Sequence, residues 1–569
     1  MEKRYWLFTA LSPLFMFGEV FMETTIPLVM ALLVDVGIKN QDINFVLRHG
    51  LLMILMASFS LFSGSMCGRL SSVAAFGFSK NLRKKLFARV QSFSFSDMDK
   101  FGTDSLVTRL TTDVTSLQNM YQNLIRTAVR SPIMLIFGTI MATKINARLA
   151  LIFFIVIPVL AAVLITIIII VYPRFREMFK KYDKLNQVVQ ENLIAIRVVK
   201  SFVRTDYENQ KFDTIADDLQ KTQVGAEKIV ILNMPVMQLM VYGCITSALW
   251  FGGNMVIFGQ MKTGELISFI SYVTQILMSL MMLSRLFVMF ILSRTSLSRI
   301  MEILDADNEE EVEGANLPAT PPCDNFSIEF RNVFFSYDTK MEHAVLSDIN
   351  LYIPQGATVG ILGGTGSSKS TLVQLIPRLY EVTEGSVLVG GLDVRDWDLT
   401  SLRKKIGFVL QKNVLFSGTI AENLRWGNEN ASDEELIEAC KASDAHDFVS
   451  AFPEGYKTDL GQGGVNLSGG QKQRLCIARA LVKKPEILIL DDSTSAVDTA
   501  TDLRIRSALR TTLPGTTKII IAQRIASVQD ADFIVVLENG RINATGTHEE
   551  LLENSQIYRE VWESQMSEN

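Results

Sequence analysis

ATVGILGGTGSSKSTLVQLIPRLY, residues 357–380, is an apolar β-type run that feeds a glycine-rich turn and then a helical pattern. Within it Gly363, Gly364, Thr365, Gly366, Ser367, Ser368, Lys369, Ser370 and Thr371 come close to the G-x-x-x-x-G-K-S phosphate loop. In such a loop successive backbone N–H groups and the helix N-terminus hold phosphate oxygens. The Lys369 ammonium then reaches the β- and γ-phosphates, and the Ser370 hydroxyl can ligate Mg2+. One position departs from the pattern: Ser368 stands where it has Gly, keeping the N–H but adding a Cβ where phosphate comes close.

Downstream, PEILILDDSTSAVD (485–498) reads as a buried strand ending in Asp491, a carboxylate placed to hold Mg2+ through water, and LSGGQKQR (467–474) precedes it. Upstream, SIEFRNVFFSY (327–337) alternates as a strand, so a polar domain begins near Phe326. Before it, DADNEEEVEGANLPATPPCDN (305–325) is acidic, then Pro-rich, without apolar periodicity, and reads as a linker.

The first 300 residues belong to a different solvent. They carry 31 Lys and Arg against 19 Asp and Glu, whereas residues 301–569 carry 24 against 41. A single soluble domain is excluded, and so is a nucleic-acid binder, because the basic excess sits on the greasy half. Five cysteines (67, 244, 323, 440, 476) show no C-x-x-C spacing and fit a reducing interior. Apolar runs at about Tyr5–Val34, 49–68, 131–143, 149–173, 229–261 and 266–284 predict six membrane helices, the first too long for a cleavable signal peptide. Lys80, Arg83, Lys84, Lys85 and Arg89 after the second span, with Arg174, Arg176, Lys180, Lys181 and Lys184 after the fourth, place those loops and the N-terminus in the cytoplasm.

The long segments between spans two and three and between spans four and five predict helical arms reaching beyond the bilayer. Their turns are expected near Ser96–Gly102 and Thr205–Gln210. Glu19 and Glu23 share one face of the first span. They suggest a substrate cavity for a cationic compound, or else a structural pair neutralised by Arg126 or Arg130. Nine Met between 234 and 289 fit either adaptable binding or plain packing.

The phosphate loop, LSGGQ and the Asp491 strand in this order resemble the ATP-binding cassette (ABC) transporter family, and the resemblance covers the whole chain. It implies an all-α transmembrane domain of six long helices at 1–304, a linker at 305–325 and an α/β P-loop cassette at 326–569, with ATP and Mg2+ as cofactors. Tyr337, 26 residues before the loop, matches the aromatic that stacks on adenine. Gln411 in GFVLQKNVLFSGT matches the residue that senses Mg2+ and contacts the arms. Ser468, Gly469, Gly470 and Gln471 match the signature that crosses to the nucleotide of the opposite cassette, and Asp498 in Ser495-Ala-Val-Asp498 matches the D-loop.

Departures from the family pattern carry the finer expectation. Asp492 replaces the Glu that acts as general base, Gln523 in IIIAQRIAS replaces the switch His, and Gln462 in TDLGQGG replaces a Glu. With Ser368, these imply that this chain's own Walker site binds ATP with little hydrolysis while its intact LSGGQ completes a partner's site. The chain therefore resembles the degenerate-site half of a bacterial heterodimeric multidrug exporter, multi-pass in the inner membrane with a cytoplasmic cassette. Its expected partners are a second half-transporter with Glu and His at those positions, the lipid bilayer and a hydrophobic or cationic substrate. A lipid or peptide exporter of the same build, and an ATP-gated channel or regulatory subunit, remain open alternatives.

Overall fold

The computed structural model describes residues 3–306, 326–337, 344–493 and 497–567. The chain forms two compact units: Met1–Gln91 with Asp104–Ala306, and Ser92–Thr103 with Asp307–Asn569. Of the linker expected at 305–325, all but Asp305 and Ala306 lies outside the described residues.

Six helices of the first unit are long and apolar enough to cross a membrane: α1 (Lys3–Ile38), α2 (Ile43–Gln91), α3 (Thr103–Ile145), α4 (Ala147–Ile194), α5 (Thr205–Ile257) and α6 (Thr263–Leu304). The 49 residues of α2 span roughly 70 Å, more than twice a bilayer's hydrocarbon thickness, so much of the helix is arm. With no aqueous competitor in lipid, polar groups must pair inside the protein, and α1 and α6 do this at three points. Tyr272 donates to Thr24 O at 2.5 Å, Ser268 to Pro27 O, and Gln275 Nε2 to Glu23 O at 3.3 Å. At the arm end of α3, a π-helical turn over Arg109–Asp113 turns Asp113 inward. There its Oδ1 accepts from Ser296 at 2.8 Å and Arg299 at 2.5 Å, and Arg109 pairs with Glu302 at 2.9 Å.

The first arm turns where expected. A short helix, Phe95–Phe101, is capped reciprocally by Ser94 and Asp97 and stopped by Gly102 at φ 70°. This tip belongs to the second unit, in which Tyr380 donates to Asp99 Oδ2 at 2.6 Å and meets the Phe95 ring edge-on. The second arm turns earlier than expected, at Phe202–Arg204 after a short helix Ile196–Ser201, with Val203 at φ 52°. Residues 205–210 instead begin α5: Asp206 and Glu208 lie in its first turn, where negative charge meets the positive end of the helix dipole.

The cassette holds a four-stranded sheet in the order β2-β1-β4-β5, a six-stranded sheet in the order β12-β11-β3-β10-β9-β6 and a two-stranded β7-β8 ribbon. The strands are β1 (Ile328–Phe335), β2 (Leu346–Ile353), β3 (Thr358–Leu362), β4 (Glu384–Val389), β5 (Leu392–Asp393) and β6 (Ile406–Val409). They continue with β7 (Gly418–Thr419), β8 (Asp459–Leu460), β9 (Ile487–Asp491), β10 (Thr517–Ile521), β11 (Phe533–Glu538) and β12 (Arg541–Gly546). The inner strands β3, β9 and β10 draw ten of their fifteen residues from Ile, Leu and Val and are buried at every position but Thr358, as parallel strands covered on both faces must be. Trp397 fills the core between the two sheets, fully buried, with Nε1 donating to Val389 O at 3.1 Å.

Trp397→Ala is therefore expected to destabilise the cassette by about 3–5 kcal/mol, and Trp397→Phe, which loses chiefly the Nε1 bond, by about 1 kcal/mol. Thermal unfolding of the full chain in detergent checks the ranking; equal losses for the two variants would contradict it.

Candidate nucleotide site

The four strands β3, β10, β9 and β6 run parallel in adjacent positions. Ile361 pairs with Ile521, Ile521 with Asp491 and Leu490 with Val409. Their carboxyl ends therefore coincide along one edge of the sheet, the usual ligand edge of an α/β fold. The loop 363–368 leaves β3 there, Gln523 follows β10, Asp491 and Asp492 close β9, and Gln411 follows β6. Residues more than a hundred apart in sequence thus meet at one place.

Gly363 is required at the first turn of the loop: a Cβ there would lie 2.4 Å from Leu537 O and 2.5 Å from Ser367 Oγ. At Gly364 and Gly366 a Cβ would meet nothing within 4 Å, so the loop encloses an open cradle, sized by backbone alone. Ser368 takes the left-handed conformation, φ 71° and ψ 24°, immediately before the helix Lys369–Gln374. A non-glycine residue pays about 1–2 kcal/mol for that conformation. The departure read from sequence is thus a backbone strain as well as an added Cβ.

Lys369 Nζ donates to the carbonyls of Gly363 and Gly364 at 2.7 and 2.8 Å and to Ser367 Oγ at 3.2 Å, holding the ammonium over the loop. Burial pushes its pKa down, with Asp492 and Asp491 acting the other way. Ser370 Oγ donates to Asp491 Oδ1 at 2.8 Å, and Asp491 is only 2% exposed. Burial raises its pKa first, partly offset by that hydrogen bond. A hydroxyl and a carboxylate this close, both hard oxygen donors beside an open anion cradle, fit an Mg2+ ion bound with nucleotide phosphate.

Asp492 is the meeting point of the edge. Gln523 Nε2 donates to its Oδ2 at 2.9 Å and Gln411 Nε2 to the same oxygen at 3.4 Å. Its backbone N–H donates to Ile521 O at 3.2 Å, and its φ of 47° is left-handed. Tyr337 is half-exposed, with its hydroxyl 3.0 Å from Thr371 Oγ1 and its ring edge-on to Phe335 and Tyr380. Ser468 caps the 14-residue helix Gly469–Val482 reciprocally with Gln471, so the signature residues sit at a helix N-terminus whose N–H groups favour anions. Asp498 caps the helix Thr499–Thr512 through Thr501, which holds its carboxyl below the usual range; residues 494–496, including Ser495, lie outside the described residues. Gln462 opens a short 3-10 turn, Gln462–Gly464.

Two further residues brace the edge. Gln473 Nε2 donates to Asp492 O at 3.4 Å, from within the quoted LSGGQKQR string. Gln565, on the C-terminal helix Gln556–Ser567, donates to Gln523 O and accepts from Ile525 N, each at 2.9 Å. Nothing in local sequence marks Gln565, because the contact spans some forty residues of chain.

In the membrane unit Glu19 and Glu23 are bridged by Arg130, the neutralising partner that the sequence offered beside Arg126. NH1 reaches Glu19 at 2.8 Å and NH2 reaches Glu23 at 2.7 Å. Glu23 and Arg130 line a pocket of about 460 Å³ between α1, α3 and α6, whereas Glu19 lies outside its wall, against Gly64 of α2.

Among known proteins, the ABC transporter transmembrane region matches residues 9–280 and the ABC transporter cassette residues 346–495. The chain is 38% identical over 565 residues, 99% of its own length and 97% of the relative's, to the uncharacterized ABC transporter ATP-binding protein YfiB of Bacillus subtilis (strain 168). It is 34% identical over 504 residues to the ATP-dependent lipid A-core flippase of Syntrophus aciditrophicus (strain SB), covering 86% of this chain and 80% of that one. A solved structure of a bacterial Atm1-family ABC exporter with ATP bound superposes with a TM-score of 0.82 at 26% identity, covering 99% of this chain and 98% of that chain.

Two substitutions probe the edge. Ser368→Gly is expected to stabilise the nucleotide-free chain by at most ~1 kcal/mol, relief of the left-handed strain being partly offset by glycine's greater chain entropy. Asp491 binds a proton more tightly folded than unfolded, so its contribution to stability falls as pH rises through its raised folded pKa. At neutral pH Asp491→Asn should then stabilise the nucleotide-free chain while removing the extra stabilisation expected from Mg-ATP in wild type. Thermal shift assays with and without Mg-ATP read both; a less stable nucleotide-free Asp491→Asn chain would contradict the sign.

Proposed function

Because the chain belongs to the ABC transporter family, we propose that it is one half of a heterodimeric ATP-driven exporter, the half whose own Walker site binds ATP and turns it over poorly. Family membership itself makes the chain a multi-pass membrane protein with a nucleotide-binding, ATP-hydrolysing cassette that moves a substrate through a bilayer. The finer reading places it in a bacterial inner membrane, with hydrophobic or amphipathic compounds as cargo.

The observation that supports the asymmetric reading is the environment of Asp492. In the position of a general base stands a side chain one methylene shorter than Glu, and two amide nitrogens, from Gln523 and Gln411, converge on one of its oxygens. A base must come within hydrogen-bond reach of its water, and a misplacement of roughly 1 Å costs on the order of a hundredfold in rate. Gln523 can donate a hydrogen bond to a phosphate oxygen or to Asp492, but it takes up no proton at physiological pH.

The binding parts are present. Loop 363–371 offers backbone N–H groups and the Lys369 ammonium to the phosphates, and Tyr337 offers a half-exposed ring to the base. Ser370, Asp491 and Gln411 would hold Mg2+, which when bound neutralises phosphate charge. Ser468, Gly469, Gly470 and Gln471, at the start of a regular helix, would present their N-terminal dipole to the nucleotide of the partner's Walker site. ATP then drives export by favouring the closed pair of cassettes over the separated pair, and hydrolysis at the partner's site resets the cycle.

A lipid cargo is the second reading, favoured by the flippase among the relatives. Transport of a labelled lipid against a labelled amphipathic drug by the reconstituted pair decides between them.

Purified alone, the chain is expected to hydrolyse ATP about a hundredfold more slowly than its complex with a half-transporter bearing Glu and His at the corresponding positions. Vigorous hydrolysis by the chain alone would sink the heterodimer. The double change Asp492→Glu with Gln523→His should raise the lone chain's kcat by about tenfold or more, and Asp492→Glu alone by less, since Gln523 still supplies no proton acceptor. In the complex, Lys369→Ala should lower activity less than the same change in the partner.

A further inference from the structure

Gln523 stands just past the last paired residues of β10. The registers with β3 and β9 end at Ile521, Ala522 N still reaches Ile361 O at 3.2 Å, and Arg524 stays extended at φ −102° and ψ 129°. In extended backbone the carbonyl of one residue and the N–H two residues on point to the same side, where a neighbouring strand would pair with both. Gln565 takes that place: its Nε2 donates to Gln523 O and its Oε1 accepts from Ile525 N, each at 2.9 Å. One side-chain amide thus does the work of a strand neighbour on both sides of Arg524.

The helix that carries Gln565, Gln556–Ser567, is firmly seated. Tyr558 is fully buried with its hydroxyl 2.7 Å from His548 Nδ1, and the Trp562 ring meets His548 edge-on. Arg559 donates to the carbonyls of Leu552 and Glu553, each at 2.8 Å. Ile557, Val561 and Trp562 pack against the core cluster that also holds Ile525. On the other side of the switch, Ser527 Oγ donates to Asp502 Oδ2 at 3.0 Å. The backbone of the segment is therefore held at both ends, and the reach of the exposed Gln523 side chain is set by it. In the nucleotide-free chain that side chain bonds Asp492, which acts electrostatically on the Lys369 ammonium over the phosphate loop. The amide thus stands at the end of the cradle where the terminal phosphate of ATP would arrive.

We infer that Gln565 is a positioning residue for ATP recognition: it fixes the backbone of Gln523 so that the Gln523 amide can exchange Asp492 for the terminal phosphate. ADP lacks that phosphate, so the brace acts on ATP binding and leaves ADP binding alone. The inference rests on the reading of Gln523 as the switch residue and names what sets its geometry.

The test uses the full chain in phosphatidylcholine nanodiscs with Mg2+, where ATP and ADP displace a trinitrophenyl analogue of ATP. Wild type is expected to bind ATP about tenfold more tightly than ADP. Gln523→Ala should weaken ATP by about tenfold and leave ADP within about twofold. Gln565→Leu should weaken ATP by about fivefold with ADP unchanged. Gln565→Glu keeps the side-chain length and the acceptor for Ile525 N but loses the donor, and its effect on ATP should be smaller. Adding Gln565→Leu to Gln523→Ala should cost nothing further, because the brace acts through that one amide. Equal weakening of ATP and ADP by Gln565→Leu, or a further loss of ATP affinity in the double variant, overturns the inference. Should Gln565→Leu unfold early in thermal scans, Gln565→Glu carries the test. A lowered ATP preference in Gln523→Ala with none in either Gln565 variant overturns the inference alone. An unchanged preference in Gln523→Ala, or equal wild-type affinity for the two nucleotides, overturns the switch reading and the inference with it.

Discussion

The parallel pairing of β3, β10, β9 and β6 is the constraint on which the nucleotide site depends. Each strand is short and apolar, and each ends within one residue of its neighbour's end, so the polar groups that follow emerge side by side. The register decides which groups meet there: a one-residue slip of β9 against β10 would carry Asp491 off the edge. The candidate nucleotide edge is thus a by-product of hydrophobic packing, and its polar character lies in the few residues beyond the strands.

Those residues are held under strain and crowding. Ser368 and Asp492 both occupy left-handed backbone, one where the phosphate loop enters its helix, the other where β9 gives way to the next turn. Such conformations persist only where the surroundings over-determine them, and at Asp492 the hydrogen bond to Ile521 O and the amides of Gln523 and Gln411 do so.

The membrane unit follows the same logic in another solvent. Lipid offers no hydrogen bonds, so Pro27, by freeing a carbonyl, obliges a neighbouring helix to supply a donor. Gln275 does so from its Nε2. The ion pairs of Arg130 arise likewise: two carboxylates on one helix face are tolerated in an apolar span because a guanidinium from α3 reaches both.

The architecture and the inventory of polar groups are legible in local sequence. Apolar runs of bilayer length, basic loops, a glycine-rich turn between strand and helix, and LSGGQ are local patterns whose physics acts within a few residues. The six helices, the cassette and the departures at Ser368, Asp492 and Gln523 were therefore legible there. So were the two possible partners of Glu19 and Glu23, though not which of them. The position of the second arm's turn was misjudged because acidic residues mark helix starts as well as loops. Contacts between distant segments come from the packed chain alone: Arg130 rather than Arg126 in ion pairs with the two glutamates, Gln523 and Gln411 meeting on one oxygen of Asp492, and Gln565 bonded to the backbone of Gln523 and Ile525. Pairings of this kind depend on which helix faces and strand ends are brought together, and that follows from packing the whole chain rather than from any stretch of it.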